Sequence, residues 1–419
     1  MIKTEKPPYV GDAIDKPVHP VVFTFLILPF GVLQGYVTVT LGYLLSNAGI
    51  SVAEVAAIVG ASITPHIFKF LWAPLIDTTL TRKKWYVVGG VFSSIGLFLT
   101  GLLPITHASL PLLTVVVVVA NFFVSFLAMS TESFMAYDVA HEMKGKAGGY
   151  FQSGNLGGFG VGGGVGLWLA GHVPSPWMAA FVMALLCLLC CLALFAVKEK
   201  RSTVRAEKIT ATFRNLFSDL WLLLKSRGGL VAAFLCFLPL GTGAASNLFA
   251  AVAGDWHASA DTVALITGVM GGLFSAAGCV IGGWICDKIN RNYAYLLFGL
   301  LGAFTAVGMA FSPHTELAYT IWTSVYMVVL GLSYAGFSAF VLDAIGKGAA
   351  ATKYNIYASL SNMPIYLMTF IDGWAHTRFG PTGMLAIEAL FAVLAIALFL
   401  ILTFFVNRNF TSKAAALPA

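Results

Sequence analysis

Charged side chains are scarce in this sequence. Asp, Glu, Lys and Arg make up 10% of its 419 residues, and the mean hydropathy is +0.86. Globular domains contain about 25% charged residues, and a content this low excludes an ordinary soluble domain. Hydrophobic residues account for 58% of the chain. The composition therefore predicts an integral membrane protein.

Cysteine is also scarce, with six residues in the chain. All six lie in or at the ends of predicted helices, so we expect no disulfide framework. Cys187, Cys190 and Cys191 have the spacing of a metal-binding group, but no histidine of a predicted span lies near them in sequence. Free cysteine packs as a small buried hydrophobe, and this is the interpretation we favour. We expect no bound metal and no cofactor.

Long apolar runs recur along the whole chain. Twelve of them, between residues 20 and 406, are long enough to cross a hydrocarbon core of about 30 Å as helices. They are too long for the alternating strands of a lipid-facing barrel, and Gly and Pro interrupt them. The sequence predicts an all-α polytopic membrane protein with twelve transmembrane helices.

The distribution of basic residues predicts the orientation of these helices. If both termini are cytoplasmic, 22 of the 24 Lys and Arg lie on the cytoplasmic side, with Arg378 outside and Lys69 within a span. The net charge of +6 is then a topological signal, and no nucleic-acid partner is implied. The first span lacks the cleavage site of a signal peptide and is expected to remain as a helix. We expect a multi-pass inner-membrane protein that is a monomer in the lipid bilayer.

One basic segment divides the predicted helices into two groups of six. It carries eight Lys or Arg and three Asp or Glu, and it is expected on the cytoplasmic side. The predicted parts are a cytoplasmic N-terminal tail (1–18), an N-terminal six-helix bundle (19–197), this linker (198–228), a C-terminal six-helix bundle (229–406) and a cytoplasmic C-terminal tail (407–419).

The two groups repeat each other weakly. Pro29-Phe30-Gly31 in the first helix recurs as Pro239-Leu240-Gly241 in the seventh, and Asp77 recurs as Asp287, both 210 residues later. We expect a Pro-x-Gly break in both helices and two pseudo-symmetric bundles. Symmetry of this kind is typical of transporter folds, in which the substrate site lies between the halves near the middle of the membrane.

The residues after the second and eighth helices carry a family motif. The segment from Gly283 through Asp287 to Arg291 resembles the inner-loop motif of the major facilitator superfamily, Gly-x-x-x-Asp followed by Arg and Lys. The first copy contains Asp77 and Arg82 but lacks the glycine, with Pro74 in that region. By this resemblance, which covers the whole chain, the two motifs hold the inner ends of the bundles together in one state of an alternating-access cycle.

The departure at Pro74 is itself informative. The stretch from Phe68 to Asp77 is similar to the signature of the peptide and acetyl-coenzyme A transporter branch, which includes muropeptide permeases. This resemblance implies proton-driven uptake of a sizeable, often anionic molecule. Siderophore, peptide and other small-metabolite importers share such a stretch, so the substrate stays open.

Lys69 is the most informative single residue. A charge at this depth in a predicted span costs about 3 kcal/mol on insertion scales, which favours a partner and a function. Ser62, His66 and Lys69 share one face of the second helix, and Glu132, Gln152 and Asn155 reach a similar depth in the fourth and fifth helices. The expected polar layer consists of Lys69, Glu132, Gln152 and Asn155, in the inner half of the N-terminal bundle.

The expected roles follow from charge. Lys69 is predicted to bind a substrate carboxylate or phosphate, and Glu132 to take the coupling proton. The alternative is an ion pair of Lys69 with Glu132 or Asp138 that only joins helices. His66 is a candidate for proton coupling, and a structural bond to a carbonyl freed by Pro65 is its alternative. Asp138 is the third candidate proton site.

Other polar residues in the spans are candidate substrate contacts, with interhelical hydrogen bonding as their structural alternative. They are Gln34, Tyr36, Ser246, Asn247, Tyr357 and Asn362, all expected near the central cavity. Asp372 and Glu388 are assigned instead to pairing with Arg378 or to the interface. The corresponding positions in the second bundle are apolar or weakly polar, so ionic chemistry is expected mainly in the first.

These residues discriminate among three classes of function. A secondary transporter that carries a small molecule with protons fits the repeat and the dispersed charges. A membrane-embedded transferase lacks a Ser-His-Asp arrangement and clustered metal ligands, and a channel lacks rings of like groups. We therefore expect a transporter and no enzyme activity.

Overall fold

A computed structural model describes residues 18–137, 144–197, 214, 218, 221, 225–286, 288–345 and 356–415, without some side chains near helix ends. All regular secondary structure in these ranges is helical. The helices of the first half are α1 (Val22–Asn47), α2 (Val52–Thr78), α3 (Arg82–Leu102), α4 (Leu110–Tyr137), α5 (144–172) and α6 (Pro176–Ala196).

The second half also contains six helices. Its helices are α7 (227–256), α8 (Ala260–Cys286), α9 (Arg291–Ala310), α10 (Glu316–Ile345), α11 (356–379) and α12 (381–415). Gly380, with φ 71°, separates α11 from α12. Nine described runs are long and apolar enough to cross a membrane, and the last, Ile356–Thr403, spans both α11 and α12. With α5 and α7, the described residues confirm the twelve predicted helices.

Short polar side chains start several helices. Ser51 and Glu54 form a capping box at α2, in which each side chain binds the other residue's backbone N–H. Single side chains accept backbone N–H groups at the starts of four other helices: Thr81 at α3, Ser226 at α7, Ser259 at α8 and Asn290 at α9. These caps fix where the chain enters each span.

Because successive helices cross in alternate directions, the turns fall on two sides. We call the side where α1 begins the N-terminal face; it also holds turns 79–81 and 288–290. The other side, the opposite face, holds turns 48–51, 103–109 and 257–259.

The predicted Pro-x-Gly breaks differ between the two repeats. In α7 the first helical piece ends at Phe237, and Gly241 and Gly243 have φ of 62° and 65°, so the helix is interrupted as expected. In α1 the prediction is wrong, because Val22–Gly35 is continuous with Pro29 inside it. Gly31 serves close packing instead: a Cβ there would lie 2.8 Å from the Phe159 backbone N of α5.

Among the described residues, three helix pairs make most of the contact between the two halves. Ser46 of α1 donates to the Ala251 carbonyl of α7 at 2.5 Å. A Cβ on Gly60 of α2 would lie 2.7 Å from the Phe370 ring of α11. These contacts lie in the half of the molecule next to the opposite face, so the halves are held together on that side.

The third pair is α5 with α8, where a π-helical turn of each helix faces the other. The turns are Val161–Val165 and Ala264–Met270. A Cβ on Gly268 would lie 2.5 Å from the Cα of Gly164. Only glycine allows backbones to approach this closely. We call this contact between Gly164 and Gly268 the glycine seam.

Candidate functional site

Lys69 and Glu132 form an ion pair between α2 and α4. The Lys69 Nζ lies 3.4 Å from Oε1 of Glu132. The side chains are 16% and 24% exposed, so the pair is accessible without being fully solvated. Lys69 lies nine residues from the end of α2 at Thr78, about 13 Å along the helix. A cation and a carboxylate therefore stand together well inside the predicted membrane thickness.

One turn deeper, three side chains from three helices meet. The Gln34 Nε2 lies 2.6 Å from Oδ1 of Asn121 and 2.9 Å from Nε2 of His66. The His66 Nε2 in turn lies 3.1 Å from the same Asn121 oxygen. The Asn121 amide nitrogen donates to the Val117 carbonyl at 2.9 Å, which fixes the orientation of the amide.

This group, which we call the central triad (Gln34, His66 and Asn121), joins α1, α2 and α4. Its hydrogen bonds depend on the state of the imidazole. When the Gln34 amide donates to His66, Nε2 is the acceptor; a doubly protonated ring would instead donate from Nε2 to Asn121. The triad can therefore change its bonding when His66 gains a proton.

The central triad also touches the other half of the protein. Asn362 of α11 donates through its amide to the His66 carbonyl at 3.4 Å and to the Ala358 carbonyl at 3.1 Å. Phe30 meets the His66 ring edge to face, with centroids 5.2 Å apart. Two predicted site residues from different bundles, His66 and Asn362, thus meet directly.

The α5 members of the polar layer stand apart from the ion pair. Asn155 donates to the Gln152 amide oxygen at 3.4 Å, and Gln152 is exposed. Gln152 lies eight residues into α5, about 12 Å deep. Within the part of the chain that the structure describes, no hydrogen bond joins this pair to Lys69 or Glu132.

The remaining predicted substrate contacts lie among packed helices. Tyr36 and Tyr357 are each 1% exposed, and Tyr357 donates to the Gly229 carbonyl at 2.8 Å. Ser246 donates to the Gly243 carbonyl at 2.6 Å, and Asn247 donates to the Thr369 hydroxyl at 3.0 Å. These bonds brace the interrupted helix α7.

The four loop-motif residues and the predicted proton site Asp138 are only partly described. Asp138 and Asp287 lie outside the described residues, and the Asp77 side chain is not described although its helix is. Arg82 begins α3 and is 8% exposed, and Arg291 begins α9. The proposed roles of these five residues remain predictions.

The sequence reasoning missed Asn121 and misassigned two acids. Asp372 and Glu388 are 0% and 8% exposed, whereas Arg378, their expected partner, is exposed. The Tyr326 hydroxyl donates to Oε1 of Glu388 at 2.5 Å. Beside the ionic groups expected mainly in the first bundle, the second bundle thus contains two buried acids. An acid within the apolar run of α12 was the available signal.

Comparison with known proteins agrees with this architecture. The family model described as Major Facilitator Superfamily matches residues 23–371. The anhydromuropeptide permease of Escherichia coli (strain K12) is 24% identical over 414 residues, covering 93% of this chain and 80% of that protein. An uncharacterized protein of Haemophilus influenzae is 25% identical over 355 residues, covering 79% of this chain and 81% of its own length.

Solved structures show the same fold. A D-xylose-proton symporter superposes with a TM-score of 0.71 at 16% identity, covering 90% of this chain and 96% of its own. The nucleoside transporter NupG gives 0.70 at 13% identity, covering 91% and 98%. The family match spans most of the chain and the likeness to solved transporters is close to full length. The chain therefore belongs to the major facilitator superfamily and is a membrane transporter rather than an enzyme.

Proposed function

We propose that this transporter imports a muropeptide-like anionic solute across the inner membrane together with protons. The similarity to an anhydromuropeptide permease over 93% of the chain supports the substrate class. The observation that carries the coupling mechanism is the Lys69–Glu132 ion pair at 3.4 Å. In this proposal the protein works as a monomer by alternating access.

The pair links proton binding to anion binding. Two unit charges 3.4 Å apart interact by about 5 kcal/mol at an effective dielectric constant near 20, before solvent screening. A proton on Glu132 removes this attraction and leaves Lys69 free to bind a substrate carboxylate or phosphate. A substrate anion on Lys69 in turn favours protonation of Glu132. The two ligands are therefore coupled reciprocally.

The central triad lies at the boundary between the halves, which supports a role for it in this proposal. His66 contacts Gln34 and Asn121 through its ring and Asn362 through its carbonyl. A change in the state of His66 would alter bonds within the N-terminal bundle next to the contact with α11. We assign His66 a role in coupling, alongside Glu132 and the predicted Asp138.

We further propose that the N-terminal face is cytoplasmic. The basic residues of the chain favour this orientation, with Arg378 at the other side. The halves touch next to the opposite face through the glycine seam and the Ser46–Ala251 bond. The described state is then closed towards the outside.

The first test measures uptake of radiolabelled anhydromuropeptide into proteoliposomes. We expect Lys69→Met to reduce uptake by about tenfold or more, because a charge-assisted hydrogen bond contributes about 1.5–3 kcal/mol. Lys225→Met is the matched control, because Lys225 is exposed and its ammonium lies over Trp221. Normal uptake by well-folded Lys69→Met would remove Lys69 from the mechanism.

A second test separates proton coupling from substrate binding. We expect Glu132→Gln to lose accumulation driven by a pH gradient while it retains substrate exchange, since exchange requires no net proton movement. Accumulation by this variant at the wild-type level would refute the role of Glu132. If wild-type protein transports a siderophore or another peptide but not the muropeptide, the substrate class is wrong and the coupling mechanism can still be tested.

A further inference from the structure

The C-terminal bundle contains two buried acids that the proposed transport mechanism does not use. Asp372 lies on α11 and is fully buried, and Glu388 lies on α12 and is 8% exposed. The two carboxyl groups interact electrostatically. Burying two interacting negative charges without compensation is unfavourable by several kcal/mol per ion, so this arrangement calls for a neutralising partner.

The hydrogen bonds around the pair leave oxygens unused. Oε1 of Glu388 accepts from the Tyr326 hydroxyl at 2.5 Å and from the Ala245 backbone N–H at 3.5 Å. Oε2 of Glu388 and both carboxylate oxygens of Asp372 have no hydrogen-bond partner among the described residues. Three buried acceptor atoms are therefore available.

A fourth oxygen lies at the same depth. The Thr323 hydroxyl on α10 is also buried without a partner in the described part of the chain. Thr323, Asp372 and Glu388 each lie seven residues from the end of their helix at the opposite face, about 10 Å along the axis. Tyr326, one turn from Thr323, ties α10 to Glu388.

A small cavity extends from the interruption of α7 to Glu388. Its volume is about 30 Å³, and its lining includes Gly243, Tyr326 and Glu388. This is room for a water molecule or an ion of similar size. The left-handed backbone at Gly241 and Gly243 opens the helix next to this cavity.

The surrounding titratable groups do not provide a counter-charge. Each has its own bond or is solvent-exposed. His376 binds Asp255 at 2.7 Å, Glu316 binds Ser259 and Thr262, and His66 belongs to the central triad. Tyr295 donates to the Leu240 carbonyl and Tyr319 to the Phe249 carbonyl, while Tyr334 and Arg378 are exposed. In the described helices packed around the pair, the charge is left uncompensated.

We propose that Asp372 and Glu388 together bind one monovalent cation, either a proton or a sodium ion. A positive charge shared by the two carboxyls removes the uncompensated negative charge and uses the free oxygens. Hard cations prefer such oxygen ligands, and transporters place coupling cations beside interrupted helices. The site is separate from Glu132 and lies in the other bundle.

The test uses thermal unfolding of the full-length purified protein, followed by tryptophan fluorescence. Sodium chloride is titrated against choline chloride at constant ionic strength, and the series is repeated at several pH values. A ligand bound only by the folded state raises Tm in a saturable way. If the cation is sodium, the wild type shows this rise; if it is a proton, sodium has no effect and Tm falls as pH rises, because the native state binds more protons.

Either response must disappear in Asp372→Asn and Glu388→Gln and persist in Asp261→Asn, an exposed acid on α8. Should the amide variants fail to fold, Tyr326→Phe serves instead, with the response shifted to higher cation concentration. A response that all variants retain, or a wild type insensitive to both sodium and pH, would overturn the proposal. No substrate is needed, so the outcome is independent of the muropeptide assignment.

Discussion

The glycine seam allows a direct test of how the halves close. In the Gly268→Ala variant, the new Cβ would stand 2.5 Å from the Cα of Gly164, whereas ordinary contact begins at 3.4 Å. The helices must therefore separate by about 1 Å. Overpacking of this kind costs about 1–3 kcal/mol, which changes a two-state ratio by about 5- to 150-fold. We expect the population open at the opposite face to grow accordingly.

The assay is a distance measurement between spin labels at Asn47 and His257. Both residues are exposed at the opposite face, one at the end of α1 and the other after α7. The six native cysteines, none in a disulfide, are first replaced. The longer of the two distance populations should increase in Gly268→Ala relative to wild type.

The matched control is Gly171→Ala on α5. A Cβ at this exposed position would meet nothing within 4 Å, so the distance distribution should stay that of the wild type. If Gly268→Ala also leaves the distribution unchanged in folded protein, then the glycine contact does not limit closure and the two-state reasoning is refuted.

Three further predictions concern two other contacts and the orientation in the membrane. Ser46→Ala, which removes the hydrogen bond to Ala251, should shift the same distance populations by about 1 kcal/mol, less than Gly268→Ala does. A double-mutant cycle of Lys69→Ala and Glu132→Ala should give a coupling energy of about 1–3 kcal/mol in unfolding experiments, between surface and buried pairs, and a value near zero would refute the pair. A green fluorescent protein fused to the C terminus should fluoresce in cells, while alkaline phosphatase fused there should be inactive; the reverse pattern would refute the orientation.

The helices could be predicted from sequence because each apolar run must satisfy its own backbone in lipid. Twelve apolar runs were expected between residues 20 and 406, and the described helices within that range include Leu110–Tyr137 and Glu316–Ile345. Single-sequence patterns were sufficient here, since length and hydropathy decide where a membrane helix begins and ends.

The two Pro-x-Gly repeats show what local sequence cannot decide. The same motif interrupts α7 and leaves α1 continuous. The difference arises from the neighbours: Gly31 is packed against the backbone of α5, which holds α1 helical, whereas Gly241 lies beside Ser333 and Tyr295 side chains with a positive φ. Packing of a neighbouring helix therefore determines whether the glycine acts as a spacer or as a break.

The candidate site was predicted only as far as depth along single helices allowed. Lys69 and Glu132 were placed at a common depth by counting residues, and they do pair. Asn121 was missed because its importance comes from meeting Gln34 and His66 across three helices. The burial of Asp372 could not be predicted, because the sequence does not show which face of α11 points into the bundle.

The glycine seam also determines how the barrier responds to its surroundings. Gly164 and Gly268 bring main chain against main chain, and neither has a side chain that ionises or carries charge across the field. At this contact, the tightness of the barrier should be the same at any pH and at any membrane potential. Any sensitivity to pH or to membrane potential would therefore enter through side chains elsewhere in the bundles.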